Sequence, residues 1–215
     1  AFTNTLPTIH AFLKSVLSQF QNREVVFMVL DIVANVCKLT RNNNETTRHF
    51  YQLINDIKIQ DLEYIFKILD IINASKRNWD PNPPVVEEIL PDILRLTAGN
   101  LASIDIKTLD EDTIQVASES LCSFCSSFRD SIFFNKGHAA ASEVILNTLY
   151  YFTINENNEV YESVIDVWNR VMQSHYNVNS SQAKMICKLI MEQIFPIAIR
   201  RNSLPDKFQE SYFCQ

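Results

Sequence analysis

Cys122-Ser-Phe-Cys125 is the sequence's single C-x-x-C, a spacing used by zinc sites and by thiol redox centres. A zinc site needs four ligands, yet no second C-x-x-C exists and the nearest histidine, His138, stands beyond the same apolar stretch. On a helix, positions i and i+3 share a face, and here that face also carries Leu121, Phe124 and Phe128. Both thiols therefore read as core. The four histidines, His10, His49, His138 and His175, are far apart and form no H-E-x-x-H. The carboxylates Glu88/Asp92 and Glu159/Glu162/Asp166 recur at helical spacing, so each set lines one helix face, but neither has the neighbours of an acid–base pair. No G-x-S-x-G and no calcium loop occurs. Glycine stands only at Gly99 and Gly137, which excludes a phosphate-cradling loop and a dinucleotide fingerprint. The expectation is a chain without catalytic residues, cofactor or metal. A helical thiol enzyme using Cys122 and Cys125 is the weaker alternative, and it requires one thiol to titrate well below about 8.5.

Charge is unevenly distributed. Residues 1–79 carry nine basic and seven acidic side chains, residues 80–166 four and fifteen, and residues 167–215 six and three. The negative middle disfavours nucleic acid, whose phosphates need Lys and Arg, and favours a partner with a basic segment. Within it, Asp110, Glu111 and Asp112 cluster at the start of one helix, and Glu159, Glu162 and Asp166 share a face of another. These six residues are the candidate partner-binding site. The alternative is that they are solvated helix faces. Five cysteines, an odd number in apolar surroundings, suit reduced thiols in the cytosol or nucleus. No apolar run approaches the roughly 18 residues that cross a bilayer, so no membrane contact is expected. The first residues, Ala-Phe-Thr-Asn-Thr-Leu, lack the basic and apolar regions of a signal peptide, and without an initial Met the chain reads as a piece of something longer.

The elements that position these residues follow the helical period throughout. In 23–39 the polar residues Glu24, Asp31, Asn35 and Lys38 form one narrow stripe in an otherwise apolar helix, and 59–74 repeats the pattern with Glu63, Lys67 and Asp70. Helices apolar over most of their circumference must be sandwiched between neighbours. Further helices are predicted over 7–21, 45–57, 84–98, 111–133, 138–153, 158–176 and 180–201. Gly99-Asn100 is read as a C-cap, and Pro91 and Pro196 as kinks or restarts. The helices pair into hairpins, 7–39, 45–74, 84–133 and 138–176, followed by a further helix at 180–201. The pairs recur every 35–50 residues, and no hairpin can bury both faces alone. The fold class expected is all-α: one α-solenoid segment of stacked antiparallel, HEAT-like hairpins spanning 1–215. A single globular helical bundle is the competing architecture.

The most specific stretch runs from Asn157 to Tyr176. It resembles a repeat of the importin-β superfamily, the karyopherins, in the transportin/exportin branch, through Glu159, Val160, Glu162, Val167, Trp168, Asn169 and Tyr176. Asp110–Cys122 resembles the start of the preceding repeat and Ile199–Asp206 the end of the following one, so the resemblance covers about residues 82–210. Independently of any family, Trp168 shares an apolar face with Val160, Val164, Val167 and Val171, which makes it core, with an indole N–H in need of an acceptor. The resemblance implies a non-catalytic segment of a nucleocytoplasmic transport receptor that binds protein cargo, the GTPase Ran and nucleoporins and shuttles between nucleus and cytoplasm. A HEAT-repeat scaffold or adaptor of another pathway is the alternative within the same class.

Overall fold

The apolar stripes of this sequence are buried by packing helix on helix. The computed structural model describes residues 5–40, 44–55, 57, 61–75, 84–173 and 180–202, and among them no strand occurs. The α-helices are α1 (Leu6–Gln19), α2 (Arg23–Thr40), α3 (Asn44–Asn55), α4 (Leu62–Ser75) and α5 (Pro84–Ser103), then α6 (Glu111–Phe133), α7 (Ala139–Ile154), α8 (Asn158–Met172), α9 (Ser181–Leu189) and α10 (Phe195–Asn202). The chain is all-α, as its period requires. His175, Tyr176 and residues 203–206, named above, and Cys214, one of the five cysteines, lie outside the described residues.

Local chemistry sets the helix starts. Asp61 Oδ1 accepts from the Tyr64 N–H at 2.9 Å and so opens α4 later than the apolar pattern suggests. Asp110 caps α6 by accepting from the backbone N–H and the hydroxyl of Thr113, both at 2.8 Å. Asn157 and Ser180 cap α8 and α9 in the same way. Gly99 does not end α5. It stays helical with negative φ, and the helix continues to Ser103 because Ala98 and Leu101 extend its buried face. Pro91 lies inside α5. Before Pro196 the helix widens into a π-helical segment, Ile190–Ile194. Proline has no N–H to donate back and its ring crowds the carbonyl four residues earlier, and a widened turn relieves that clash. A bend in α6 at Phe128 (φ −120°, ψ 24°) follows the pair Ser126-Ser127, and serine pairs are among the usual places at which helices kink.

Packing sorts the helices into two rows. Helices α2, α4, α6 and α8 pack side by side in chain order, and α1, α3, α5 and α7 do the same. Bonds between successive members join residues a near-constant distance apart in sequence: Arg23 to Glu63 and Arg48 to Glu88 span 40 residues, Gln115 to Glu159 spans 44, and Ser120 to Asp70 spans 50. Contacts across the rows are closest for α2 with α3, α4 with α5, and α6 and α8 with α7, while α3 with α4 and α5 with α6 touch little among the described residues. Between the rows lies one continuous apolar core, including Leu30, Val33, Tyr64, Leu69, Phe124, Phe128, Leu149 and Val164. Trp168 is part of it at 2% exposure, and its indole N–H donates to Thr153 Oγ1 at 2.9 Å in a fully buried site. Large apolar side chains left exposed include Phe12 on α1 and Phe20 just after it, and Met185, Phe195 and Ile199 on α9 and α10, but also Met28, Val116 and Met172 on helices within the row.

Candidate partner-binding face

The outer, charged side of the α2–α4–α6–α8 row holds all six residues singled out by sequence. Asp110, Glu111 and Asp112 are exposed at the start of α6, and Glu159, Glu162 and Asp166 are exposed along α8. Helices α6 and α8 are the most closely packed pair and run in the same direction: Gln115 in the second turn of α6 meets Glu159 in the first turn of α8, and one stretch further on Asp166 acts on Cys122. The Gln115 amide donates to both Glu119 on α6 and Glu159 on α8, joining the exposed sides of the two helices. Asp166 accepts from Arg170 Nε at 2.6 Å, an exposed i, i+4 pair of small energetic value. Its hydrogen bonds to Thr113 hold the Asp110 carboxyl below the usual carboxylate range, so it remains ionised as a cap.

The face continues across α4 and α2, where cations intervene. Arg23 pairs with Glu63 and lies 3.7 Å from Asp61, and Lys67 pairs with Asp31, so adjacent helices are stitched by opposite charges. Toward α6 and α8 the balance shifts to carboxylates. Asp70 accepts from the Ser120 hydroxyl at 2.9 Å. Desolvation, the dominant cause, holds its carboxyl above the usual range against that hydrogen bond and the pull of Lys67. Asp70, Gln115 and Glu119 belong to the face although only the six were singled out. The signal was present: Gln115 follows Glu111 by one turn, and Glu119 follows Asp112 by two.

The other candidates resolve differently. Cys122 and Cys125 are buried, and burial pushes the Cys122 thiol up to about 12 and Cys125 well above its ordinary value. Both shifts run opposite to what a reactive thiol needs. Glu88 forms a two-point ion pair with Arg48, at 3.0 and 2.8 Å, and Asp92 pairs with Arg95 at 2.7 Å. Those carboxylates join or decorate helices. His10 and His49, distant in sequence, meet edge to face with ring centroids 5.8 Å apart between α1 and α3. Among the described residues no group of three or more His, Cys, Asp and Glu is placed to hold a metal ion, and no helix is long and apolar enough to cross a membrane. No protein-family model, curated protein or solved structure matches this chain.

Proposed function

We propose that the chain is a non-catalytic, protein-binding α-solenoid of HEAT-like hairpins, and that the acidic face of α6 and α8 receives a partner with a basic segment. The observation that carries the reading is the Gln115 bridge to Glu119 on α6 and Glu159 on α8, which brings carboxylates of two successive helices of the row onto one surface. The near-regular spacing of contacts along each row supports a repeat architecture, in which each unit contacts only its neighbours. Within that class, the likeness of 157–176 to a karyopherin repeat favours a segment of a Ran-dependent transport receptor, with protein cargo and nucleoporins as partners and shuttling between nucleus and cytoplasm. Trp168, the strongest anchor of that likeness, serves the core, so partner contacts fall to the charged side of the same helix.

Exposed charges act within a screening length of roughly 8–10 Å, so association with a Lys/Arg-rich partner slows steeply as salt rises. Reversal of Glu159, Glu162 and Asp166 to Lys slows it further while leaving the melting temperature nearly unchanged. Salt-independent binding that survives the triple reversal refutes the acidic-face reading. Titration with fluorescent, GTP-loaded Ran separates the finer reading from the coarser one: absence of Ran binding with retained binding of basic partners leaves a scaffold of another pathway.

A further inference from the structure

The charged face is interrupted by a groove of about 340 Å³ between α2, α4 and α6. Its floor is apolar, built from Phe27, Phe66 and Val116. Val116 is 55% exposed although it sits on the polar stripe of α6 between Asp112 and Glu119. Charge around the rim is unbalanced. Of the two nearby cations, Arg23 pairs with Glu63 and Lys67 with Asp31. Asp70 accepts from the neutral hydroxyl of Ser120 and feels the more distant charge of Lys67, and neither Asp70 nor Asp112 forms an ion pair among the described residues. An exposed apolar floor beside two carboxylates that no cation contacts directly is complementary to an apolar side chain next to a cation.

We propose that this groove anchors a short segment of a partner protein in which one aliphatic or aromatic side chain is flanked by Lys or Arg. The apolar side chain covers Val116 and lies against Phe27 and Phe66, and the flanking cation reaches Asp70 and Asp112. Nucleic acid and anionic lipid surfaces are disfavoured occupants because their phosphates meet the same carboxylates. The volume is at the low end for small-molecule pockets and suits one or two side chains. The inference rests on the acidic face being a protein-binding surface, with which the groove is continuous through Asp112, and it assigns to that surface a point of apolar specificity that charge alone lacks.

The test uses the full chain and three fluorescein-labelled peptides in a Gly/Ser background: one with Leu flanked by Arg, one with that Leu changed to Ser, and one with both Arg changed to Gln. Anisotropy titration at low and physiological salt should find the Leu/Arg peptide bound about tenfold more tightly than either control. Val116→Ser should erase the advantage of Leu over Ser, and the pair Asp70→Asn and Asp112→Asn should erase that of Arg over Gln. Asn keeps the acceptor for Ser120, and unchanged helical circular dichroism checks that each variant is folded. Reversal of Glu159, Glu162 and Asp166 should weaken all Arg peptides together without removing the preference for Leu. Equal binding of the Leu and Ser peptides, or a preference that survives Val116→Ser, overturns the groove while leaving the acidic face standing. Failure of every Arg peptide to bind removes both. Binding that appears only with self-association of the chain, monitored by sedimentation, assigns the groove to a second copy and also overturns the proposal.

Discussion

Trp168 offers the most direct test of how the α7–α8 pair holds together. Its side chain is 2% exposed, and its helix neighbours Val160, Val164, Val167 and Val171 are buried to 1% exposure or less. β-Branched valines on a packed helix cannot swing inward to fill a vacated indole site, so Trp168→Ala should fall in the range for large aromatic truncation, about 3–5 kcal/mol. At a urea slope of about 2 kcal/mol/M the midpoint then drops by about 1.5–2.5 M, read by far-UV circular dichroism. The hydrogen bond can be separated from the cavity. Thr153→Val keeps the shape but leaves the buried indole N–H without its acceptor, at a cost of about 1–3 kcal/mol. In Trp168→Phe the Thr153 hydroxyl still donates to the Leu149 carbonyl, at 2.8 Å in the parent, so it is not orphaned. The double variant should therefore be less destabilised than the sum of the singles by about 1 kcal/mol. Strict additivity, or a midpoint shift below roughly 0.5 M for Trp168→Ala, refutes the assignment of Trp168 to the core and of Thr153 as its partner.

Three further outcomes are expected. Gly99→Ala should stabilise the chain by about 0.5–1 kcal/mol in the same assay, because Gly99 is helical and an added Cβ meets nothing within 4 Å; a lower midpoint contradicts this. Iodoacetamide at mildly alkaline pH, mapped by mass spectrometry, should modify the partly exposed Cys187 and spare Cys37, Cys122 and Cys125 in the folded chain; early labelling of Cys122 or Cys125 would revive the thiol-enzyme reading. Desolvation makes Asp70 take up its proton more readily in the folded chain than in the unfolded one, so its penalty grows as pH rises through the ordinary carboxylate range and persists at neutrality. Asp70→Asn should then stabilise the chain at pH 7, by less than about 1 kcal/mol because the residue is exposed, with the gain vanishing in acid; a gain in melting temperature that is constant with pH refutes the cause.

Much of this was legible in the sequence because helical packing depends mainly on which face is apolar. Residues 111–133 were delimited by an acidic start and an unbroken apolar stripe, and α6 occupies that span. The need of Trp168 for an acceptor could be stated from its type, but Thr153 could not be named without the crossing of two helices. Gly99 misled because its usual cost in a helix is about 1 kcal/mol, less than burying Leu101 returns. The π-helical segment was half visible: Pro196 marks a disturbance, while the form that the relief takes depends on what Ile190 and Ile194 bury. His10 and His49 meet because α1 and α3 are neighbours in one row, a relation that periodicity in a single helix does not encode. The groove floor did leave a trace. Phe27 stands between Glu24 and Asp31, and Val116 between Asp112 and Glu119, each an apolar break in a charged stripe.

Helices α2 and α4 also run in the same direction, since Arg23 meets Glu63 and, further along, Asp31 meets Lys67. The starts of α4 and α6 meet at the groove lined by Glu63 and Asp112, which has an electrical consequence. Four macrodipoles lie side by side with their positive ends, each worth about half an elementary charge, along one edge of the row. Every one of those ends carries carboxylates in its first turn: Glu24, Glu63, Glu111 with Asp112, and Glu159. Together the dipoles supply about two positive charges against these five carboxylates, so they offset part of the field along that edge and leave it negative. Glu119, set further down α6, has no such compensation, whereas Asp166 pairs with Arg170 and Asp70 feels Lys67. A cationic partner drawn in from solution therefore still meets a negative edge, softened by the dipoles but not cancelled.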